Sequence, residues 1–260
     1  MRLTVLGRSP ARPNPDEACA GYLLDAGGSR LLLDAGPGVV AQLLRLGHPD
    51  ELDAVVISHM HTDHFLDLVT LRYVYPWADE ARRKLRVILP PGSMEQMADM
   101  ARGAGYPDFW EKAFTLEEHD GERPFEVGAA RLEPGPTQHY IPTWGFRITT
   151  RGPDEDPSRL FVYSADSAPC EQLERLIEGA HLLLCEATLR SLGEDAAPPE
   201  PRGHLLPAEA GEIARRAGVE RLVLTHLPAG PTGAPEAHDQ ASLAFGREVA
   251  IAEPQRSHEI

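Results

Sequence analysis

The chain has 260 residues, of which 42% are hydrophobic and 25% charged, so we expect a globular protein with one domain spanning residues 1–260. Its formal charge of −15 argues against a broad nucleic-acid surface, because such surfaces need a high density of lysine and arginine. No apolar run approaches the roughly 18–20 residues of a membrane helix, and the three scattered cysteines lack CxxC spacing, which predicts a cytoplasmic protein without a disulfide framework.

The first half of the chain is predicted to form short strands joined by glycine and proline turns, with helices between some of them. Continuous apolar runs predict strands over Leu3–Leu6, Gly21–Leu24, Leu31–Asp34, Leu52–Ile57 and Arg86–Leu89. Apolar residues at three- and four-residue intervals predict helices over Val39–Leu46, Phe65–Tyr75 and Ser93–Arg102. The segment Gly103–Asp120 follows neither pattern, so it is assigned no element.

The second half shows a clearer alternation of strands and helices, which favours an α/β fold. Strands are predicted over Arg131–Glu133, Gly145–Thr149, Leu160–Tyr163, Leu182–Cys185 and Arg221–Thr225. Helices are predicted over Cys170–Ile177 and Pro207–Ala217. A polar, proline-rich loop covers Ser191–Arg202, and the tail beyond Pro228 is assigned no element.

A run of candidate metal ligands, Ser58-His-Met-His-Thr-Asp-His64, follows directly after a predicted buried strand. His59 and His61 are two residues apart and point the same way in an extended segment, so they can bind one ion together. Asp63 and His64 lie at the turn into the next helix and can face a second ion beside the first. An isolated pair of histidines would favour a structural role, but four candidates this close together favour a metal site. Imidazole and carboxylate ligands suit Zn²⁺, and also Mn²⁺ or Fe.

Three further candidate ligands lie at strand ends or in loops between strands: His139, Asp166 and His226. Because Asp166 also precedes a predicted helix, capping of that helix is an alternative to metal binding. Four other histidines stand in polar or turn contexts, where a solvated side chain is expected: His48, His119, His238 and His258.

These motifs resemble, in the same order and over nearly the whole chain, those of the metallo-β-lactamase superfamily and its ribonuclease Z-like branch of phosphodiesterases. Residues 58–64 match the signature HxHxDH, and Thr137–Arg147 is similar to the third motif of the branch. Tyr163–Ser167 resembles the motif YSGDT, with Ala165 in place of its glycine, and Arg221–His226 resembles the final strand and histidine. The resemblance implies a four-layer αββα sandwich with a site for two metal ions at one edge of its sheets.

The resemblance also implies how the ligands divide between two divalent ions, for which Zn²⁺ is favoured. One ion would be bound by His59, His61 and His139, the other by Asp63, His64 and His226, and Asp166 would bridge the two.

Two further pieces of the chain resemble non-ligand motifs of the branch. Cys185–Thr188 is similar to the HEAT motif, with Cys185 in place of its histidine, and Gly203-His204 matches a histidine that acts as general acid. The resemblance implies that His204 protonates the leaving oxygen and that Glu186 orients it, whereas Cys185 is expected to be a small buried residue. Asp63 would guide the proton of the attacking water.

The substrate is predicted less directly. A tRNA 3′-processing endonuclease of the ribonuclease Z type is disfavoured by the negative charge and by the segment between His139 and Asp166, which is too short for a tRNA-binding arm. The second half is similar to actinobacterial members of the branch that hydrolyse cyclic nucleotides. We therefore expect a dinuclear metal-dependent phosphodiesterase acting on small anionic phosphodiesters such as 3′,5′-cyclic nucleotides. A lactonase or other acyl-ester hydrolase and an inactive metal-stabilised binding protein are alternatives, and relatives in the branch are commonly homodimers.

Overall fold

Two seven-stranded sheets form the frame of the protein in the computed structural model, which describes residues 1–75, 83–151, 156, 158–195, 202–228 and 233–260. The first sheet has the strand order β14 (Ser257–Glu259), β1 (Arg2–Gly7), β2 (Gly21–Ala26), β3 (Ser29–Leu33), β4 (Ala54–Val56), β5 (Leu85–Leu89) and β6 (Phe114–Glu118). The second has the order β13 (Ala250–Ile251), β12 (Arg221–Thr225), β11 (Leu182–Glu186), β10 (Phe161–Tyr163), β9 (Trp144–Thr150), β8 (Ala130–Pro136) and β7 (Phe125–Val127).

Helices cover the outer face of each sheet. The first sheet carries α1 (Val39–Leu43), α2 (Thr62–Phe65), α3 (Leu68–Val74) and α4 (Met94–Gly103), and the second carries α5 (Glu171–Ile177), α6 (Pro207–Arg216) and α7 (Gly233–Phe245). Two short 3₁₀ turns lie at Pro49–Glu51 and Leu192–Glu194. None of the helices in the described ranges is long and apolar enough to cross a membrane.

Three layers of buried apolar side chains account for this stacking. The central layer joins the two sheets and includes Tyr22 and Phe146. One outer layer lies under α1–α4 and includes Leu68, and the other lies under α5–α7 and includes Ile213 and Phe245. The order helix, sheet, sheet, helix is the predicted αββα sandwich, and the prediction is confirmed.

Parallel strands bring the carboxyl ends of several elements to one edge of the sandwich. β3, β4, β5 and β6 run parallel in the first sheet, and β10, β11 and β12 run parallel in the second. The loops that leave these ends hold six of the candidate ligands, as is usual for functional groups on sheets of this kind, and His139 lies in the loop between the antiparallel strands β8 and β9. The edge of the sandwich therefore gathers residues that are far apart in the sequence.

The predicted helix over Phe65–Tyr75 is wrong in one respect, because two short helices occupy the region. Asp67 separates them. Its carboxylate accepts from the backbone N–H of Val40 at 2.7 Å, and its own N–H donates to the carbonyl of Ala35 at 2.8 Å. These contacts to a distant loop outweigh the local helical pattern. The tail without a predicted element forms α7, β13 and β14, and the unassigned middle segment contains β6.

The predicted exposure of His119 is also wrong. Only 6% of this residue is accessible, and its ring stacks on Phe125 and meets Trp144 and Phe146 edge-on. Its Nδ1 accepts from the backbone N–H of Gly121 at 3.0 Å. Burial lowers the pKa of His119 to about 4, despite nearby acidic residues that act in the opposite direction.

We therefore expect His119 to make the protein acid-sensitive between pH 6.5 and about pH 4. The unfolded chain takes up a proton on this ring near pH 6.5, whereas the folded protein resists protonation until about pH 4. Stability is unaffected above pH 6.5 and falls as the pH drops through this window, by up to about 3 kcal/mol at about 1.4 kcal/mol per pKa unit. Urea unfolding of wild type and His119→Asn across this range measures the effect.

The asparagine side chain in that variant can still accept from the N–H of Gly121 but does not titrate. The stability of the variant should therefore fall less than that of wild type as the pH drops. The exposed His48 provides the control, since His48→Asn should leave the pH dependence unchanged. Identical pH profiles for wild type and His119→Asn would contradict the prediction.

Candidate metal centre

The structure brings all seven predicted ligand side chains to one edge of the sandwich. Their ligand atoms form overlapping groups in which every pair of atoms lies within 4.8 Å: His59, His61 and His139; Asp63, His64 and His226; and His59, His64 and Asp166. The first two groups contain the same residues as the two ion sites that the resemblance implies.

The first group presents three imidazole nitrogens to one point. Nδ1 of His61 lies 3.2 Å from Nε2 of His59 and 3.0 Å from Nε2 of His139. Nδ1 of His139 donates to the carbonyl oxygen of Gly203 at 2.7 Å, so its Nε2 carries a lone pair when the ring is neutral. Burial and the neighbouring imidazoles lower the pKa of all three rings, and burial is the larger cause. Neutral rings with converging lone pairs form a suitable ligand set for a cation.

The second group combines a carboxylate with two imidazoles. Oδ2 of Asp63 lies 3.1 Å from Nε2 of His226 and 3.5 Å from Nε2 of His64. Burial alone would raise the pKa of Asp63, but the two histidines beside its carboxylate outweigh burial and hold the pKa well below its usual range. Asp63 and His64 belong to α2, which begins directly after the loop of the histidine run.

Asp166 lies between the two groups. Its carboxylate oxygens are 3.4 Å from Nε2 of His64, 3.7 Å from Nε2 of His139 and 3.7 Å from Nδ1 of His226. The helix that follows is capped by Cys170, whose sulfur accepts from the N–H of Leu173, so Asp166 does not cap it. The carboxylate of Asp166 therefore has no role in capping α5, and it faces the imidazoles of both groups.

The pKa of His64 indicates that the carboxylates of the centre favour a positive charge at this position. Burial lowers the pKa of His64, but the carboxylates of Asp166 and Asp34 outweigh it and raise the pKa well above its ordinary value. Nε2 of His64 is buried and has no hydrogen-bond partner among the described residues. A buried nitrogen of this kind is costly unless something binds it, and the donor set around it fits a divalent ion.

Asp34 is a central residue of this centre that the sequence analysis did not identify. Its fully buried carboxylate accepts from Nδ1 of His64 at 2.7 Å and from the hydroxyl of Tyr163 at 2.6 Å. It also accepts from the hydroxyl and the N–H of Ser58, both at 2.8 Å, and that hydroxyl in turn accepts from Nδ1 of His59. Asp34 thereby sets the tautomer of His64 directly and that of His59 through Ser58. The glycine-rich turn after Asp34 was the available signal.

Backbone strain is concentrated at this edge. Asp34, Ala165 and His226 have φ angles of 58°, 52° and 56°, in the left-handed region that non-glycine residues rarely adopt. Each follows the end of a strand and directs the chain into the centre. Ala165 stands where the motif YSGDT has a glycine, and the positive φ angle of Ala165 explains why a glycine suits that position.

Glu186 joins the metal centre to His204. One oxygen of Glu186 accepts from Nδ1 of His204 at 2.9 Å, and the other accepts from the hydroxyl of Thr188 at 2.7 Å. The Thr188 hydroxyl then accepts from Nδ1 of His226 at 2.8 Å. Burial lowers the pKa of His204, but Glu186, together with the charges of Asp166 and Asp195, outweighs burial and raises the pKa to about 9. Cys185 is buried as expected, with its thiol pKa raised by burial.

A cavity of about 430 Å³ opens over these groups. Side chains of the centre and of the loops around it line this cavity: Pro10, Ala11, Arg12, His61, Thr62, Asp63, Tyr140, Asp166, Thr188, Leu189, Arg190, Glu194, His204, His226 and Pro228. The volume suits a small ligand.

Comparison with known proteins identifies the class to which this fold and centre belong. The family model of the β-lactamase superfamily domain matches residues 29–227. The chain therefore belongs to the metallo-β-lactamase superfamily, and the fold, the histidine and aspartate cluster and the relatives support a metal-dependent hydrolase.

Particular relatives match most of the chain. The protein Rv1339 of Mycobacterium tuberculosis is 34% identical over 233 residues, which cover 88% of this chain and 81% of that protein. A ribonuclease Z of a Mycobacterium species is 31% identical over 274 residues, covering 96% and 93%. The crystal structure of the metallo-β-lactamase fold protein YhfI from Bacillus subtilis has a TM-score of 0.84 and 28% identity, and covers 99% of both chains.

Thr188 is expected to hold His226 in the tautomer that the second group needs. Because its hydroxyl donates to Glu186, it accepts only from a proton on Nδ1 of His226, which leaves the lone pair on Nε2. Thr188→Val removes this contact at similar volume, and we expect metal affinity to fall by about 10–100-fold. Thr188→Ser retains the hydroxyl and is the matched control. Zn²⁺ titration with a competing chelator is the measurement, and equal affinities for the valine and serine variants would contradict the prediction.

Proposed function

We propose that the protein is a dinuclear metal-dependent phosphodiesterase that hydrolyses small anionic phosphodiesters, with 3′,5′-cyclic nucleotides as the leading substrates. One observation supports this most directly. His204, which belongs to neither predicted ion site, is paired with Glu186 and lies 4.0 Å from Asp166 at the edge of the cavity. A proton donor placed beside a metal centre suits a reaction whose leaving group is a poor one, such as an alkoxide.

The proposed metal ligands are the seven side chains that the structure brings together. One ion, for which Zn²⁺ is the first choice and Mn²⁺ or Fe the alternatives, would bind His59, His61 and His139; the other would bind Asp63, His64 and His226; and Asp166 would bridge both. When bound, such ions supply Lewis-acid activation of water and electrostatic stabilisation of the phosphoryl oxygens.

The residues of the chain supply the proton transfers. Hydrolysis forms a bond between phosphorus and a water oxygen and breaks the bond to the leaving oxygen. Asp63 lines the cavity, and its carboxylate can guide the proton of the attacking water. His204 holds one proton against Glu186 through Nδ1, so the proton on Nε2 is the one available to the leaving oxygen.

The size and charge of the protein support a small substrate. The cavity of about 430 Å³ can hold a mononucleotide, whereas a net charge of −15 disfavours docking of a large RNA. Processing of tRNA 3′ ends is the second candidate, because the mycobacterial relative with 31% identity is named ribonuclease Z. Lactone hydrolysis and metal-stabilised binding without turnover are the remaining alternatives.

A substrate panel with wild-type protein separates these candidates. We expect hydrolysis of bis(p-nitrophenyl) phosphate and 3′,5′-cyclic AMP that requires added Zn²⁺ or Mn²⁺ and is abolished by a chelator. A lactone and a precursor tRNA are assayed in parallel. Turnover of the lactone alone, or of none of the esters, would exclude the proposal, and cleavage of the tRNA without cyclic AMP hydrolysis would favour the second candidate.

A further inference from the structure

The side chain of Asp195 is buried at the end of an exposed stretch of loop. Only 3% of this side chain is accessible, although residues Ser191 to Glu194 before it are all exposed. Its carboxylate accepts from the N–H of Gly203 at 3.2 Å and, at a longer 3.4 Å, from the N–H of His204. It also accepts from the hydroxyl of Tyr140. The contacts of this one carboxylate therefore converge on the segment that carries His204.

The peptide of Gly203 is held from three directions. Asp195 binds its N–H, and Nδ1 of His139 binds its carbonyl oxygen at 2.7 Å. The ring of Tyr140 lies so close to its α-carbon that a β-carbon there would be 2.5 Å from the ring. A β-carbon at Gly203 would displace the ring of Tyr140, so glycine suits this close approach, and a glycine without such contacts would leave the next residue free to shift.

The position of His204 has two determinants. Glu186 binds Nδ1 of the ring and the N–H of Leu205 after it, whereas Asp195 binds the N–H groups of Gly203 and of His204 itself. Arg202 strengthens the second determinant, because its guanidinium pairs with Asp195 at 3.4 Å and also with Glu209 at the start of α6. A displacement of about 1 Å at a catalytic group can cost about 10²-fold in rate.

We propose that Asp195, assisted by Tyr140, is a positioning residue that holds His204 in place to protonate the leaving oxygen. This proposal rests on the proposed function of His204. Asp195 does not touch the reacting atoms and acts through the backbone of Gly203 and His204. Its substitution should therefore impair mainly the part of the reaction that needs the acid. Because the Gly203 carbonyl also accepts from His139, the bound metal of each variant is compared with that of wild type.

Leaving-group dependence distinguishes this role from general structural support. Cyclic AMP releases an alkoxide that needs a proton, whereas bis(p-nitrophenyl) phosphate releases a stable phenolate that does not. We expect Asp195→Ala to lower kcat for cyclic AMP by about 10–100-fold and to change kcat for bis(p-nitrophenyl) phosphate by about threefold at most. Asp195→Asn retains one acceptor oxygen and should be intermediate, and Tyr140→Phe should show a smaller loss of the same kind. The exposed carboxylate of Asp239 gives the control variant Asp239→Asn.

A double-mutant cycle tests the path of the effect. If Asp195 acts through His204, adding Asp195→Ala to His204→Ala should cause no further loss with cyclic AMP. Equal losses on the two substrates, or additive losses in the double variant, would overturn the proposal. Metal content is measured for each variant to confirm that the ion sites are retained.

A second measurement does not depend on turnover. In Asp195→Ala the amides of Gly203 and His204 should exchange with solvent faster, and the Nδ1–H signal of His204 should shift in the NMR spectrum. If both the Nδ1–H signal and the amide exchange were unchanged in Asp195→Ala, the positioning role would be refuted whether or not the wild type hydrolyses a phosphodiester. A wild type that hydrolyses no phosphodiester would by itself refute only the proposed function.

Discussion

Replacing His204 by alanine is expected to slow the hydrolysis of 3′,5′-cyclic AMP by about 10²–10⁴-fold, the usual contribution of a positioned general acid. The same change should slow the hydrolysis of bis(p-nitrophenyl) phosphate far less, because p-nitrophenolate leaves without protonation. The reason is geometric: His204 lines the cavity beside the centre, and because its Nδ1 is bonded to Glu186, the proton on Nε2 is the one it can donate. Steady-state kinetics of both substrates measure the effect.

Glu186→Gln serves as a companion variant, since glutamine retains the shape of the side chain but removes the negative charge beside His204. We expect Glu186→Gln to slow cyclic AMP hydrolysis more than bis(p-nitrophenyl) phosphate hydrolysis, as in His204→Ala, but by a smaller factor. The reason is that a neutral partner stabilises the protonated imidazole less strongly. His258→Ala, which alters a histidine on the edge strand β14, is the matched control. A loss in His204→Ala that is equal for both substrates, or accompanied by loss of bound metal, would contradict the assignment of an acid role.

The sequence predicted where candidate residues lie in the fold when neighbouring residues carried the information. His59 and His61 are placed by the alternation of an extended segment, and Asp63 and His64 follow at the turn into a helix, so their convergence depends on local geometry. The strands before His226 and Asp166 were visible as apolar runs, and parallel strands deliver their carboxyl ends to one edge. The resemblance to a known superfamily then ordered these pieces into one fold.

The residues that the sequence did not reveal act across long separations. Asp34 reaches Tyr163, and Asp195 reaches Tyr140, through contacts between loops that meet only in the folded protein. An aspartate at a strand end or in a polar loop has many ordinary explanations, so its type and position alone predict no role. His119 was misjudged for a related reason, because the aromatic side chains that bury it come from other strands.

Loss of metal binding is the largest effect we expect, and Asp166→Asn should produce it. Asp166 is the carboxylate that approaches His59, His64, His139 and His226, all within 3.8 Å. An amide in its place removes one negative charge from between the two proposed ion sites and offers a weaker oxygen ligand. Weaker metal binding removes several kcal/mol of the transition-state stabilisation that the ions would supply. At about 1.4 kcal/mol per tenfold change in rate, we expect phosphodiester turnover to fall by about 10³-fold or more.

Thermal unfolding with and without Zn²⁺ tests this prediction without relying on turnover. An ion present at about 100 times its Kd stabilises the folded state by about 2.7 kcal/mol, which corresponds to a rise in Tm of about 5–10 °C for a chain of this size. Wild type should show the rise, and Asp166→Asn should show a much smaller one at the same ion concentration. Asp239→Asn, on the exposed face of α7, should behave as wild type. Because the asparagine removes a buried charge from the ion-free protein as well, the Tm of each variant is compared with its own chelated form. An unchanged rise in Asp166→Asn, together with two bound ions per chain, would exclude a bridging role for Asp166.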